Sequence, residues 1–295
     1  MQKKILVVGK GFLGTYLEKE ASKNFDTICT QLNPDKLEIK KLDVANFEQV
    51  NKLISSENPD YVINCSVRGD INYLQNNKKV AFSVNSQGPK NIAVVCKDNK
   101  IRFVHISTDS VFDGKTGNYT EKDTPNPINI YAESKLKGES EISKTSKDYV
   151  IARTNFYGID VRGNYFFNWI LNSIKENKQI HGFSDVVFSP LDVSTLSKMI
   201  IEVIQTKYSG ILHLSSGIPI SKYDFILKIA KSLKYSTKNI HKISIDEMKI
   251  SSPRPKNTSL NNQIAKKLLK TPISIDKWIE ENKEELRSLI RESHI

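Results

Sequence analysis

Tyr131 and Lys135 lie four residues apart in a segment with a helical pattern, and they are the first side chains of this sequence that are suited to catalysis. Residues four apart lie on one face of a helix, so the phenol and the ammonium are expected to be neighbours. A neighbouring ammonium stabilises a phenolate and lowers the pKa of the phenol from its usual value of about 10. The spacing therefore predicts that Tyr131 transfers a proton and that Lys135 lowers the pKa of Tyr131.

A short polar stretch, Ser107-Thr108-Asp109, follows the apolar residues 101–106, which have the pattern of a buried strand. In open α/β sheets, ligands gather beyond the carboxyl ends of the strands. Thr108 is then placed to hydrogen-bond the oxygen that reacts. Thr108, Tyr131 and Lys135 together predict proton transfer coupled to hydride transfer from a dinucleotide cofactor.

A glycine-rich motif near the N-terminus predicts where such a cofactor binds. The motif follows the apolar run 5–8 and opens a helical pattern, the context in which G-x-G-x-x-G indicates a dinucleotide site. Its glycines allow a tight turn and a close approach of backbone N–H groups to a pyrophosphate at the helix N-terminus. The predicted cofactor-binding residues of this motif are Gly9, Lys10, Gly11, Phe12, Leu13 and Gly14.

The segment 29–33, at the end of the second predicted strand, bears on the choice between NADH and NADPH. NAD-binding proteins usually place an acidic side chain there to bind the ribose 2′-hydroxyl, and this chain has none before Asp35. Lys10 adds a cation that can pair with a 2′-phosphate. These features predict NADPH as the cofactor, with NADH as the alternative.

Strand and helix patterns alternate through the first half of the chain. Apolar strands separated by amphipathic helices are typical of a parallel sheet that is covered on both faces. Strands are predicted at residues 5–8, 27–30, 61–64, 101–106 and 149–152, and helices at residues 12–21, 47–55, 80–96 and 131–143. The predicted fold class is therefore α/β, a Rossmann-type doubly wound parallel sheet.

After Gly158 the alternation becomes irregular, which predicts a second, smaller lobe. Helices are predicted at residues 164–177, 194–205 and 221–233, and two prolines, Pro253 and Pro255, mark a loop before the final helices. We predict a dinucleotide-binding Rossmann domain over residues 1–156, completed by about residues 186–212. The remaining residues, 157–185 and 213–295, are predicted to form a discontinuous C-terminal substrate lobe.

Composition and charge argue against several other classes of protein. The net charge of +11 comes from lysines scattered among glutamates and asparagines, without a basic block, so no nucleic-acid partner is predicted. The three cysteines are far apart, and His105 and His213 lack ligand spacing, so we predict no metal site and interpret both histidines as packed or hydrogen-bonded. No apolar run approaches about 18 residues and no signal peptide is recognisable, so we expect a cytoplasmic protein without a membrane segment.

Four motifs in the middle of the chain occur in a fixed order. They are residues 105–114 (HISTDSVFDG), 119–121 (YTE), 125–127 (PNP) and 131–139 (YAESKLKGE). Their sequences and order resemble the signature of dTDP-4-dehydrorhamnose reductases, a branch of the extended short-chain dehydrogenases. The likeness spans residues 4–265 approximately.

The resemblance implies NAD(P)H-dependent reduction of a 4-keto group on a nucleotide-diphosphate deoxysugar, as in dTDP-L-rhamnose-type synthesis for surface polysaccharide. It implies that Tyr131 and Lys135 also contact the cofactor. A homodimer is possible for a protein of this family. The resemblance adds cofactor-site residues: Asp43 and Val44 at the adenine, Asn64, Cys65 and Ser66 after a strand, and Asn85 on a helix. It implies substrate contacts from Thr108, Asp109, Ser110, Asn155, Phe156 and, at the diphosphate, Arg254.

Several positions depart from the family pattern and keep other functions open. Ser110 replaces the usual tyrosine, Val8 stands at the first glycine of a G-x-x-G-x-x-G loop, and segments 64–70 and 188–191 differ. One alternative is another extended short-chain dehydrogenase that acts on a different NDP-sugar, as a reductase or an epimerase; a dehydratase is disfavoured because Asp109 is a single acid. The other is a non-catalytic homologue resembling the regulatory subunit of methionine adenosyltransferase, against which the intact Thr–Tyr–Lys set argues.

Overall fold

A parallel sheet of seven strands is the centre of the fold in the computed structural model, which describes residues 2–160 and 165–291. The described strands are β1 (Lys4–Val8), β2 (Asp26–Gln31), β3 (Lys40–Lys41), β4 (Tyr61–Asn64), β5 (Arg102–Thr108), β6 (Tyr149–Thr154), β7 (Phe156–Tyr157), β8 (Ile180–Phe183), β9 (Val187–Phe188), β10 (Leu191–Asp192), β11 (Gly210–Leu214), β12 (Ile220–Ser221) and β13 (Ile240–Ile243). The central sheet has the order β11-β6-β5-β4-β1-β2-β3. The predicted Rossmann-type α/β fold is confirmed.

Helices connect the strands and cover the sheet. They are α1 (Phe12–Ala21), α2 (Phe47–Glu57), α3 (Ile71–Asn76), α4 (Lys78–Phe82), α5 (Gly88–Asp98), α6 (Ile130–Thr145), α7 (Phe166–Lys175), α8 (Val193–Val203), α9 (Lys222–Ser232), α10 (Gln263–Leu268), α11 (Ile275–Glu281) and α12 (Lys283–Arg291). Within the described ranges, none of these helices is long and apolar enough to cross a membrane.

The alternating side chains of β1 show that both faces of the sheet are buried. Ile5 and Val7 pack in one core with residues of α1 and α8, whereas Leu6 and Val8 pack in a second core with residues of α2 and α5. Successive residues of a strand point to opposite faces, so two cores on one strand require two covering layers. This arrangement explains the nearly continuous apolar character of the central strands.

The strand order reverses at β1, which lies between β4 and β2. From β1 the chain continues to β2 on one side of the sheet, whereas β4 lies on the other side of β1 and the chain continues from it to β5. The connections after β1 and after β4 therefore run in opposite directions. Such a switch point leaves a crevice at the carboxyl ends of the strands, where open α/β sheets bind ligands. The glycine loop follows β1 and Cys65 follows β4, so both are positioned at this crevice.

The predicted helix at residues 80–96 is not regular in the structure. A π-helical turn, Ser83–Gln87, separates α4 from α5. Pro89, the second residue of α5, has no backbone N–H, which removes one regular helical hydrogen bond at this point. The turn carries Asn85, and π-turns inside helices occur frequently at functional sites.

A separate apolar core forms among the segments that follow β6. It includes Tyr157, Phe167, Phe225 and Trp278, whose rings pack edge to face or at a tilt. Three small strand pairs, β7 with β10, β9 with β12 and β8 with β13, connect these segments, and β11 joins the edge of the central sheet. The predicted start of a helix at residue 164 lies outside the described residues, and the division into two domains stays a prediction.

A buried ion pair joins α6 to the sheet. Nη2 of Arg153 on β6 lies 2.7 Å from Oε2 of Glu139 on α6, and Ser107 Oγ on β5 donates to Glu139 Oε1 at 2.5 Å. Arg153 is 1% exposed and Glu139 3% exposed. Because neither side chain is hydrated, the charge of each is stabilised by the opposite charge of the other.

We expect Arg153→Met to lower the free energy of unfolding by about 3–5 kcal/mol, since it leaves the carboxylate of Glu139 buried without its partner. The matched control is Lys137→Met, which removes an exposed pair between residues four apart, Lys137 and Glu141, at 2.8 Å. That control should cost roughly 0.5 kcal/mol. Urea denaturation measures both variants, and equal losses would contradict the assignment of the pair as a buried anchor.

Candidate active site

Two adjoining cavities occupy the crevice at the carboxyl ends of the central strands. The first, of about 280 Å³, has walls that include Gly9, Gly11, Phe12, Leu13, Gly14, Cys65, Thr108, Tyr131, Lys135, Asn155 and Phe156. The second, of about 360 Å³, shares Gly9, Gly11 and Cys65 with the first and adds Lys10, Asp43, Val44 and Ser66 among others. The structure therefore brings most of the predicted cofactor residues and all three predicted catalytic residues to one crevice.

The backbone of the glycine loop is held in place by β2. Gly9 N donates to Thr30 O at 3.2 Å and Lys10 N donates to the same oxygen at 2.7 Å. Gly9 has a φ of 93°, and a Cβ there would lie 2.7 Å from Ser66 N; a Cβ at Gly14 would lie 2.3 Å from Gly9 O. Gly11 is the N-cap residue of α1, and no side chain at this position accepts a hydrogen bond from the first N–H groups of the helix. The helix N-terminus thus faces the crevice with the partial positive charge that favours an anion.

Tyr131 and Thr108 meet at the wall of the first cavity. Asn129 caps α6 by accepting a hydrogen bond from Ala132 N at 2.9 Å, so the helix begins immediately before Tyr131. Burial raises the pKa of Tyr131 to about 12, although a hydrogen bond with Thr108 lowers it in part. A phenol with this pKa is protonated at neutral pH.

The predicted effect of Lys135 on the pKa of Tyr131 stays a prediction, because the amino group of Lys135 contacts β5 in this structure. Lys135 is 2% exposed, and its Nζ lies 2.6 Å from Ile106 O and 3.1 Å from His105 Nε2. The amino group is therefore engaged by β5, and burial lowers the pKa of Lys135 to about 8, with Glu139 and Cys65 acting in the opposite direction.

His105 is one of the residues at this site that the sequence analysis did not place there. It is completely buried, and its Nδ1 lies 3.1 Å from Asn64 Nδ2. The sequence analysis interprets His105 as a packed or hydrogen-bonded strand residue, and these contacts agree with that interpretation. The sequence pattern does not, however, identify Lys135 as its partner. The available signal is a polar residue in an apolar strand, because a buried polar side chain requires a partner.

Asp109 connects three segments behind Thr108. It is 1% exposed and accepts hydrogen bonds from Thr258 Oγ1 at 2.6 Å, Asn155 Nδ2 at 2.9 Å and Ser110 Oγ at 3.3 Å. Burial raises the pKa of Asp109, and the bonds from Thr258 and Asn155 oppose the increase. Asp109, Ser110 and Asn155 were predicted to contact substrate, and in this structure their polar groups bind one another.

Asn64 and Asn85 hold the segment that lines both cavities. Asn64 Oδ1 accepts hydrogen bonds from Ser66 N at 3.0 Å and Ser66 Oγ at 2.6 Å. Asn85 Oδ1 accepts from Arg68 N at 2.8 Å, and Asn85 Nδ2 donates to Arg68 O at 3.0 Å and Ser134 Oγ at 3.0 Å. Both asparagines are fully buried, so they position this segment for the cavity.

Lys10 and Arg254, the two predicted cation sites, already have partners. Lys10 Nζ lies 2.8 Å from Glu18 Oε1 and 2.6 Å from Glu18 Oε2. Arg254 is half-buried beside α3, where its Nη2 donates to Asn72 Oδ1 at 2.9 Å and its Nη1 donates to Ser252 O at 3.2 Å. The structure keeps Lys10 at the second cavity and does not bring Arg254 to the walls of either one.

Three comparisons relate this arrangement to known proteins. A family model described as the RmlD substrate binding domain matches residues 3–291. A dTDP-4-dehydrorhamnose reductase of Bacillus anthracis, solved in complex with NADP, has a TM-score of 0.84 and 28% identity and covers 99% of this chain and 100% of its own. A dTDP-4-dehydrorhamnose reductase ortholog of Clostridium acetobutylicum has a TM-score of 0.84 and 30% identity, covering 97% and 99%. The probable low-salt glycan biosynthesis reductase Agl14 of Haloferax volcanii is 30% identical over 230 residues, 76% of each chain.

The parallel sheet, the glycine loop and the Tyr131–Lys135 pair on α6 are the features of an extended short-chain dehydrogenase. Within that class, the chain belongs to the family of the RmlD substrate binding domain, whose model covers nearly its whole length. The predicted resemblance to dTDP-4-dehydrorhamnose reductases is confirmed.

The contact between Gly9 and Ser66 can be tested by comparing two alanine variants. Gly9 and Gly210 both have positive φ angles, 93° and 120°, but a Cβ at Gly210 would have no neighbour within 4 Å. We expect Gly210→Ala to cost about 1–2 kcal/mol from backbone strain alone. Gly9→Ala should cost a further 1–3 kcal/mol, approximately, because Ser66 must move. Equal free energies of unfolding in urea would show that this close approach does not constrain the loop.

Proposed function

We propose that the chain is an NADPH-dependent oxidoreductase that reduces the 4-keto group of a nucleotide-diphosphate deoxysugar, with NADH as the alternative cofactor. The observation that carries this proposal is that Thr108, Tyr131 and Lys135 line the same cavity as the glycine loop. The dTDP-4-dehydrorhamnose reductase relatives support the substrate class, and the Bacillus anthracis relative, in complex with NADP, supports the cofactor. A cytoplasmic location and a homodimer stay predictions.

The residues of the crevice fit a dinucleotide. The N-terminus of α1, with Gly11 as its N-cap, suits a pyrophosphate, and Asp43 and Val44 line the second cavity on the side predicted for the adenine. Lys135 lines the first cavity, which supports its assignment to the ribose beside the nicotinamide. When bound, the cofactor supplies the hydride that reduces the carbonyl carbon.

The chain itself supplies the proton and the orientation of the carbonyl. Tyr131 is the general acid, and its raised pKa keeps the proton on the phenol at neutral pH until the carbonyl oxygen becomes basic. The hydrogen bond between Thr108 and Tyr131 supports a role for Thr108 in binding the same oxygen. Asp109 fixes the backbone after Thr108 through its bonds to Thr258 and Asn155. The substrate diphosphate is assigned to Arg254, which has to leave Asn72 to reach it.

Tyr131→Phe should lower kcat by about 10²–10⁴-fold while it leaves NADPH affinity nearly unchanged, because only the proton donor is removed. The control is Tyr149→Phe, at the start of β6 and outside the walls of both cavities. NADPH oxidation is followed against a panel of NDP-4-keto-6-deoxysugars. Turnover by Tyr131→Phe at the wild-type rate would contradict the assignment of the acid. NADPH binding without turnover of any sugar would favour the regulatory alternative.

The pairing of Lys10 with Glu18 leads to a test of cofactor preference with two opposite changes. We expect a preference for NADPH of about tenfold, since 1.4 kcal/mol corresponds to one decade. Lys10→Ala should reduce this ratio with little effect on NADH, whereas Glu18→Gln should increase it by freeing the ammonium for the 2′-phosphate. Titrations of both dinucleotides give the ratio. If Lys10→Ala weakens NADH and NADPH equally, Lys10 does not bind the 2′-phosphate and the chain uses both cofactors.

A further inference from the structure

We propose that His105 is a positioning residue that favours the neutral amine of Lys135 in the cofactor-free site, and that Lys135 takes up a proton when the dinucleotide binds. The proton uptake rests on the proposed function, because it requires an anionic cofactor beside Lys135. The state of the free site rests only on the hydrogen bonds that join Ser66, Asn64, His105 and Lys135.

The hydrogen bond from Ser66 fixes the orientation of the Asn64 side-chain amide. Ser66 N is a backbone group that can only donate, and it lies 3.0 Å from Asn64 Oδ1. The oxygen of the amide must therefore face Ser66, which also places the Ser66 hydroxyl at 2.6 Å from the same oxygen. The amide nitrogen then faces His105, and an amide nitrogen donates but does not accept.

The orientation of Asn64 determines the tautomer of His105. Nδ1 of His105 lies 3.1 Å from Asn64 Nδ2 and must accept that hydrogen bond, so Nδ1 carries no proton. Burial lowers the pKa of His105, which keeps the ring neutral. A neutral imidazole has one N–H, and here it is on Nε2.

The Nε2–H group of His105 faces the amino group of Lys135 at 3.1 Å. Two donors cannot form a hydrogen bond, so the contact is favourable only if Nζ of Lys135 has a free lone pair. Nζ also donates to Ile106 O at 2.6 Å, which a neutral amine can do as well as an ammonium. The contacts of Lys135 are therefore all satisfied when it is neutral.

The other charged groups around Lys135 do not compensate an ammonium. Glu139 on α6 is paired with Arg153 on β6 at 2.7 Å, and no carboxylate in the described ranges forms an ion pair with Lys135. Cys65 after β4 and Tyr131 on α6 are both neutral at neutral pH, since burial raises their pKa values. Asp109 lies towards Tyr131 and is held by Thr258 and Asn155.

A proton on Lys135 becomes favourable when phosphate groups occupy the crevice. The proton comes from solvent and binds to the lone pair of Nζ, so the resulting ammonium can no longer accept from His105 Nε2 and must move away from that N–H group. The resulting ammonium stabilises the phenolate that remains after Tyr131 gives its proton to the carbonyl oxygen. The acid is thus activated most strongly in the assembled complex.

The tautomer is tested directly by ¹⁵N spectra of the histidine side chains in the cofactor-free protein at pH 9, above the pKa of about 8 of free Lys135. We expect the Nε2–H form for His105, identified by the loss of its signals in His105→Asn. If that variant does not fold, the same assignment is made by elimination with variants of the other four histidines. An Nδ1–H form or a doubly protonated ring would overturn the proposal.

Proton uptake is tested by calorimetric titration of NADPH at pH 9 in buffers of different ionisation enthalpy. The pKa of free Lys135 is about 8, so the wild type should take up about half a proton or more per NADPH. His105→Asn keeps an acceptor for Asn64 but removes the N–H that faces Lys135, which raises the pKa of free Lys135 and should reduce uptake to a fraction of the wild-type value. His213→Asn, at a buried histidine that contacts Tyr119 O instead, is the control and should behave as wild type.

Equal uptake in the wild type and in His105→Asn, or no uptake in the wild type, would contradict the role of His105. A failure of the wild type to bind NADPH is a different result: it would contradict the proposed function, while the ¹⁵N spectra would still decide the state of the free site.

Discussion

The burial of polar side chains of α6 against β5, β6 and the π-turn before α5 governs the arrangement of the site. Ser134, Lys135 and Glu139 are each 3% exposed or less, so each must find its hydrogen-bond partners inside the protein. A buried polar group without a partner costs about 1–3 kcal/mol, more if it is charged. Their partners are Asn85, His105, Ile106 O, Ser107 and Arg153. Because these bonds fix the position of α6, Tyr131, one turn before Lys135, is held at the wall of the cavity.

Most of the central sheet is predictable from the sequence because its strands are short apolar runs bounded by polar turns. The boundaries of α1 and β4 agree with the prediction to the residue. The strand β3 is not predictable, since its two lysines are exposed and only their pairing with β2 defines it. The π-turn between α4 and α5 depends on packing between distant segments, which local periodicity does not report.

The catalytic set is predictable because its spacing is local: two residues four apart on one helix, and a threonine at the end of a strand. The protonation states and pKa values of that set are not predictable from the sequence. Lys135 is expected to act on Tyr131, but the fold directs it to His105, and burial then raises the pKa of Tyr131 and lowers the pKa of Lys135. Likewise, Asn64 and Asn85 act on the cavity through the segment that they hold.

The central claim is that this crevice brings a hydride donor and the acid Tyr131 to a sugar carbonyl. The most direct measurement is the transfer of deuterium from NADPH labelled on the transferring face of the nicotinamide to a dTDP-4-keto-6-deoxysugar, with the product examined by NMR. The account predicts one deuterium on carbon 4 of the sugar for each NADPH oxidised. Recovery of the sugar without deuterium, or deuterium on any other carbon, would contradict it.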